Sequence, residues 1–143
     1  MILVDANILI YATTECEAQP RAVEWLDSQI NSGIRIGIAW SSLLAFIRIV
    51  TDFRLYPGPL ATDEACEQVE RWLQNPNIWI PEPSHRHMAF LRPALRAIGN
   101  KSRLVPDAHL AALALEHGLT ICSADRDFSR FPGLKWVNPL MPA

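Results

Sequence analysis

A chain of 143 residues, 50% hydrophobic and 20% charged, is one domain large enough to bury its own core and too apolar to be disordered. Its formal net charge of −2 excludes a global basic field, so contact with nucleic acid needs a local positive patch or a metal. Cys16, Cys66 and Cys122 are scattered with no CxxC spacing, which fits reduced thiols in a cytosolic protein.

Ile2, Leu3 and Val4 form an apolar run ending on Asp5, the pattern of a parallel strand covered on both faces. Asp5 already interrupts the start and no charged segment precedes an apolar one, so no signal peptide is expected. Asn7 follows, and Ile8 to Tyr11 open a helical turn. Pro20 to Ile30 carries Ala22, Val23, Leu26 and Ile30 on one helical face, with Gly33 closing it. Ile34 to Trp40 reads as a second strand. Ser41 or Ser42 then caps a helix from Leu43 to Val50, apolar on most sides and therefore buried. Its Arg48 is expected to meet a carboxylate or to sit at the rim of a site. The whole apolar tract from Ile34 to Val50 is broken by Arg35, Gly37 and Arg48. A bilayer span wants roughly 20 uninterrupted apolar residues, so the tract is core and no membrane association is expected.

Phe53 to Pro59 is a loop, and Thr62 caps a helix from Asp63 to Leu73 whose acidic first turn suits the helix dipole. Ile78 to Ile80 is a short strand shut off by Pro81. Ser84 opens a helix that ends at Gly99, and a polar loop follows with Lys101 and Arg103. His85 and His87 point to different faces, unlike a zinc pair four apart, and are read as surface residues. His109 and His117 have no companion ligand motif. The five tryptophans stand singly and are read as core fillers rather than a platform for bases.

The most informative stretch comes next. Pro106 suits a first helical turn, Asp107 sits well against the dipole, and Gly118 is a natural left-handed stop for an alanine- and leucine-rich helix. Leu119 to Ser123 is a strand that empties into Asp125 and Asp127. Lys135 to Val137 is a last edge strand. This alternation predicts an α/β fold with a central, mainly parallel sheet. In such sheets polar groups gather beyond the carboxyl ends of the strands, which makes Asp5, Asp107 and Asp125, with Asp127 close by, candidates for one cluster. Clustered carboxylates resist ionisation unless a cation compensates, and an all-oxygen set selects Mg2+ or Mn2+ over zinc. Such a site can hold two metals ~4 Å apart and hydrolyse a phosphodiester. Spacing alone leaves ordinary helix capping by these aspartates as an equal reading.

The chain resembles the PIN-domain ribonucleases, in particular the VapC toxins of bacterial type II toxin–antitoxin modules. The resemblance is carried by ILVDANILIYA, SSLLAFIRIVTD and, most specifically, LVPDAHLAALALEHGLTICSADRDFSRFPGLKWVNPL. It implies an α/β/α sandwich spanning residues 1–143 as a single PIN domain. It also implies metal ligation by Asp5, Asp107 and Asp125, an auxiliary catalytic Asp127, and Asn7 holding Asp5. The activity implied is Mg2+-dependent endonucleolytic cleavage of a structured cellular RNA such as a tRNA or rRNA stem-loop. A cognate VapB antitoxin, a homodimer and a cytoplasmic location are likewise implied. Lys101, Arg103, Arg126 and Arg130 flank the acids and are candidates to grip the RNA backbone.

One position departs from the family. Where a glutamate usually stands in a pattern like LxEFxR, this chain has Leu43-Leu44-Ala45-Phe46-Ile47-Arg48. A natural branch lacking the glutamate and a substitution silencing a toxic enzyme fit equally well. Either way, one fewer anion weakens attraction for a second cation. Two rival readings therefore stand beside the nuclease. One is a catalytically impaired PIN-like module that only binds RNA or a partner. The other is an aspartyl phosphatase, which wants an aspartate where Asn7 stands.

Overall fold

The computed structural model describes residues 1–142. Five short strands, β1 (Ile2–Val4), β2 (Ile36–Gly37), β3 (Ile78–Trp79), β4 (Thr120–Cys122) and β5 (Trp136–Val137), make one parallel sheet in the order β3-β2-β1-β4-β5. Successive side chains of a strand leave opposite faces. Val4 accordingly packs among α1 (Ala6–Thr13), α2 (Gln19–Asn31), α3 (Trp40–Val50) and α4 (Thr62–Gln74) on one face. Leu3 packs under α5 (His87–Ile98) and α6 (Val105–His117) on the other. The result is the expected α/β/α sandwich. Fully buried side chains such as Leu3, Phe46 and Leu113 contribute about 1.5–3 kcal/mol each to holding the layers together.

The helix that matters most follows its sequence signals closely. Pro106 lies in the first turn of α6, Asp107 beside it, and Gly118 ends the helix at φ +69°. Ala108, Ala111, Ala112 and Ala114 are all buried, so small side chains let α6 lie close against its neighbours. The chain enters β4 from there, and polar groups collect beyond its carboxyl end.

Three local expectations are corrected. Helix α3 begins at Trp40 behind Ala39, so neither Ser41 nor Ser42 is its cap; both lie inside the first turn. The chain turns straight from the short β2 into the helix, leaving no room for a serine ahead of it. Thr62 is likewise the first residue of α4, and the end is satisfied instead by Glu64, which accepts from the Ala61 N–H at 3.1 Å. Arg48 is exposed and makes no ion pair among the described residues. The buried stripe of α3 runs through Ser42, Leu43, Phe46 and Val50, and Arg48 falls off that stripe. No helix among the described residues is long and apolar enough to cross a membrane.

Candidate active site

The register of two strands builds the floor of the site. Val4 of β1 pairs with Cys122 of β4, so the next residues, Asp5 and Ser123, emerge side by side, and the Asp5 N–H donates to the Cys122 carbonyl at 3.0 Å. A polar clasp then closes over the strand ends. Ser123 Oγ, fully buried, donates to Asp5 Oδ2 at 2.7 Å and accepts from the Asp125 N–H at 3.0 Å. Asn7 Nδ2 reaches both Asp5 Oδ2 at 3.2 Å and Ser123 Oγ at 3.0 Å, while its Oδ1 accepts from the Ala124 N–H. Asn7 thus holds Asp5 as the resemblance implies. Ser123 escaped the sequence reading; its signal was its position, the last residue of a buried strand before an acid.

Asp5 Oδ1 also accepts from the Ala6 N–H at 2.8 Å, so the residue does cap α1 while facing the site. Three donors surround it, yet burial dominates and raises its carboxyl above the ordinary carboxylate range. Asp107, Asp125 and Asp127 converge more tightly, each offering an oxygen within 4.8 Å of the others. Asp5 stands outside that trio but within electrostatic reach of both Asp107 and Asp125. Burial, then repulsion from Asp125, Asp5 and Asp127, pushes the Asp107 carboxyl up to about 6 against the partial relief of Arg103. A donor set of oxygens at this separation, whose own charges oppose one another, fits a hard divalent ion and no thiophilic one.

Asp127 is treated differently. Its Oδ1 accepts from Arg130 Nε at 3.0 Å, its Oδ2 lies 3.7 Å from Arg103, and the Arg130 hydrogen bond leads in holding it below the usual range. Its own N–H donates to Asp125 Oδ1 at 2.9 Å, locking the two acids into one short turn. Arg103 and Arg130, expected to face RNA, therefore pair with an acid of the site, whereas Lys101 and Arg126 are exposed and free of ion pairs among the described residues.

A second polar network lies across α6. His87 is not a surface residue: its side chain is 12% exposed, with Nδ1 3.0 Å from Glu116 Oε1 and Nε2 3.1 Å from His109 Nδ1. His85 is exposed as expected. Burial, seconded by His87, lowers the basicity of His109. Trp40, expected in the core, is 46% exposed at the start of α3.

Residues 2–134 match the PIN domain family. The chain is 44% identical to ribonuclease VapC37 of Mycobacterium tuberculosis over 140 residues, covering 97% of each chain. It is 38% identical to ribonuclease VapC33 of the same species, covering 98% of this chain and 99% of that one. Among solved structures, VapBC2 of Rickettsia felis bound to promoter DNA shares the fold at a TM-score of 0.72 and 17% identity, over 96% of this chain and 98% of that one. FitAB bound to the IR36 DNA fragment gives the same TM-score at 20% identity, over 100% and 98%. Strand order, acid-lined sheet edge and relatives agree: this chain belongs to the PIN-domain family, among its VapC ribonucleases.

Proposed function

We propose that this chain is a VapC-type toxin, a Mg2+-dependent endoribonuclease that cuts a structured cellular RNA in the cytoplasm and is silenced by a VapB-type antitoxin. The observation that carries this reading is the convergence of Asp107, Asp125 and Asp127 within 4.8 Å, with Asp107 raised to about 6 by its neighbours. In this reading Asp5, Asp107 and Asp125 hold the ion and Asp127 assists. A divalent ion bound there polarises a phosphoryl oxygen and acidifies water. The chain's own contribution is placement. The Asn7–Ser123 clasp fixes Asp5 and the Asp125 turn, and Asp125 with Asp127 orients the attacking water.

Charge distribution along the chain supports an RNA contact by its C-terminal half. Residues 86–135 hold eight of the thirteen lysines and arginines but only four of the fifteen acids, a local basic field that the net charge conceals. The shared fold with VapBC2 and FitAB, both solved bound to DNA, and the VapC relatives support an antitoxin partner here, one that replaces the ion with a basic side chain. A homodimer belongs to the same reading.

Ala45 favours a second reading, a PIN-like module that binds RNA or a partner without cutting it, since alanine offers no ligand. Incubating the purified protein with total cellular RNA, with and without Mg2+ or Mn2+, and mapping new 5′ ends separates the two. Metal-dependent cuts that vanish in a folded Asp107→Asn variant support the nuclease. Tight binding with no cuts under either metal supports the module.

A further inference from the structure

The two helical layers of the sandwich differ in charge. Between Glu82 and Asp107 the chain holds five cations, Arg86, Arg92, Arg96, Lys101 and Arg103, and not one acid. Residues 6–74, which supply α1–α4, hold nine acids against five cations. The two segments pack on opposite faces of the sheet, so an asymmetry along the sequence becomes one in space. An anionic polymer is drawn to one face and repelled from the other.

Helix α5 arranges part of this charge in a line. Leu91, Ala94, Leu95 and Ile98 form its inner stripe and join the core with residues of α6. Met88, Ala89, Arg92, Pro93 and Arg96 form its outer face, all of them exposed. Arg92 and Arg96 are four residues apart, one above the other and about 6 Å apart along the axis. Neither makes an ion pair among the described residues. Like charges in that register repel, and no acid stands three or four residues from either one to relieve them. The outer face also lacks an aromatic ring and a side-chain amide, the groups that stack on bases or read their edges. It suits phosphates and not sequence.

The line leads towards the acids. His87, at the head of α5, lies 3.0 Å from Glu116 in the last turn of α6. At the other end, residues 99–104 return the chain to the first turn of α6, which carries Asp107. The two helices therefore run antiparallel, and Arg96 lies towards the Asp107 end. Beyond it, Arg103 Nη1 stands 3.7 Å from Asp127 Oδ2, at the margin of the carboxylate cluster.

We propose that the outer face of α5 binds the phosphate backbone of the RNA away from the cut, with Arg92 and Arg96 each holding a phosphate and Lys101 continuing the line to the acids. The proposal rests on the nuclease reading for its substrate and adds a direction of approach. The RNA crosses the α5 side and keeps clear of the acidic α1–α4 layer. Both arginines are positioning residues, since they hold phosphates other than the one that reacts.

The test uses the full chain in a chelator, which stops cutting, with a fluorescent RNA hairpin bearing single-stranded flanks. Anisotropy gives the affinity from about 50 to 200 mM KCl, where each phosphate contact adds just under one to the slope of log affinity against log salt. Arg92→Gln with Arg96→Gln is expected to flatten that slope by about 1.5 and to weaken binding about tenfold at the low-salt end. Arg48→Gln with Arg71→Gln removes the same charge from the opposite layer and is expected to leave the slope unchanged. All four side chains are exposed, and circular dichroism checks that both variants fold. With Mg2+ added, the α5 variant is expected to raise KM about tenfold while kcat holds. An unchanged slope in the α5 variant, an equal change in the control, or no RNA binding at low salt overturns the proposal. So does polyglutamate that binds more tightly than the hairpin and loses its hold in the α5 variant, which would assign the face to an acidic protein segment. RNA bound through α5 but left uncut by the metal-loaded chain sinks the nuclease reading alone. Cutting by a chain whose slope ignores Arg92 and Arg96 sinks the α5 face alone.

Discussion

Helix α6 carries a carboxylate in its first turn and another in its last, and the two have opposite fates. Asp107 faces three other acids and is pushed up to about 6, first by burial and then by their charges. Glu116, with a side chain only 7% exposed, also feels burial. Hydrogen bonds from the Ser84 hydroxyl, His87 and the Ser84 N–H nonetheless outweigh it and hold Glu116 below the ordinary range. Burial acts on both; partners decide the outcome. A satisfied acid fastens two segments together, whereas an acid crowded by its own kind is waiting for a cation.

The largest expected effect breaks the crowded end. Asp107→Asn abolishes metal-dependent cleavage, exceeding the ~100-fold loss typical of residues that only support a ligand, while the metal-free protein melts at a higher temperature near neutral pH. Cleavage assays paired with thermal melts check both halves; a lower melting temperature would mean that Asp107 is a structural acid like Glu116. Breaking the satisfied end does the reverse. Glu116→Ala removes the acceptor of the half-buried His87 and of two Ser84 donors and is expected to destabilise the fold by about 1–2 kcal/mol in urea titrations.

The pH response sharpens the same contrast. The folded carboxyl of Asp107, at about 6, lies above its ordinary 3.8, so between those values the folded protein holds more protons than the unfolded chain. The Asp107 contribution to stability is therefore greatest below 3.8 and is lost as pH rises through 6. Wild-type minus Asp107→Asn stability should fall across that window without metal, and the fall should shrink on adding Mg2+. A flat difference would refute it. Ala45→Glu, placing an anion where the resemblance to PIN-domain ribonucleases expects one, is expected to tighten Mg2+ binding by roughly tenfold; equal affinities by calorimetry would count against a role for that position. Smallest of all, Arg103→Ala removes an exposed partner 3.7 Å from Asp127 and should change stability by less than about 1 kcal/mol.

The fold was legible wherever the signal was local and backbone-driven. Pro106, Asp107 and Gly118 bracket α6 because helix ends obey short-range rules, and the apolar runs before Asp5 and Asp125 marked buried parallel strands. Helix α3 was misjudged because hydrophobicity alone does not say which residues face inward: Trp40 and Leu44 are 46% and 61% exposed. Convergence of the acids could be anticipated from topology. The pairing of Arg103 and Arg130 with Asp127 could not, since it depends on side-chain geometry. His87 was missed for the same reason. Its partners, His109 and Glu116, lie 22 and 29 residues away, and no spacing rule connects them.

The clasp between the first and fourth strands has a consequence for biosynthesis. Asn7 and Ser123 are 116 positions apart, and β1 occupies the middle of the sheet with β4 as its neighbour. A nascent chain emerging from the ribosome can assemble β1, β2 and β3, but one side of β1 stays bare and Asp5 has no companions until nearly the whole polypeptide has left the exit tunnel. A product truncated before β4 therefore lacks the assembled acid cluster, and the ribosome that makes this protein has nearly finished its work before that acidic edge exists.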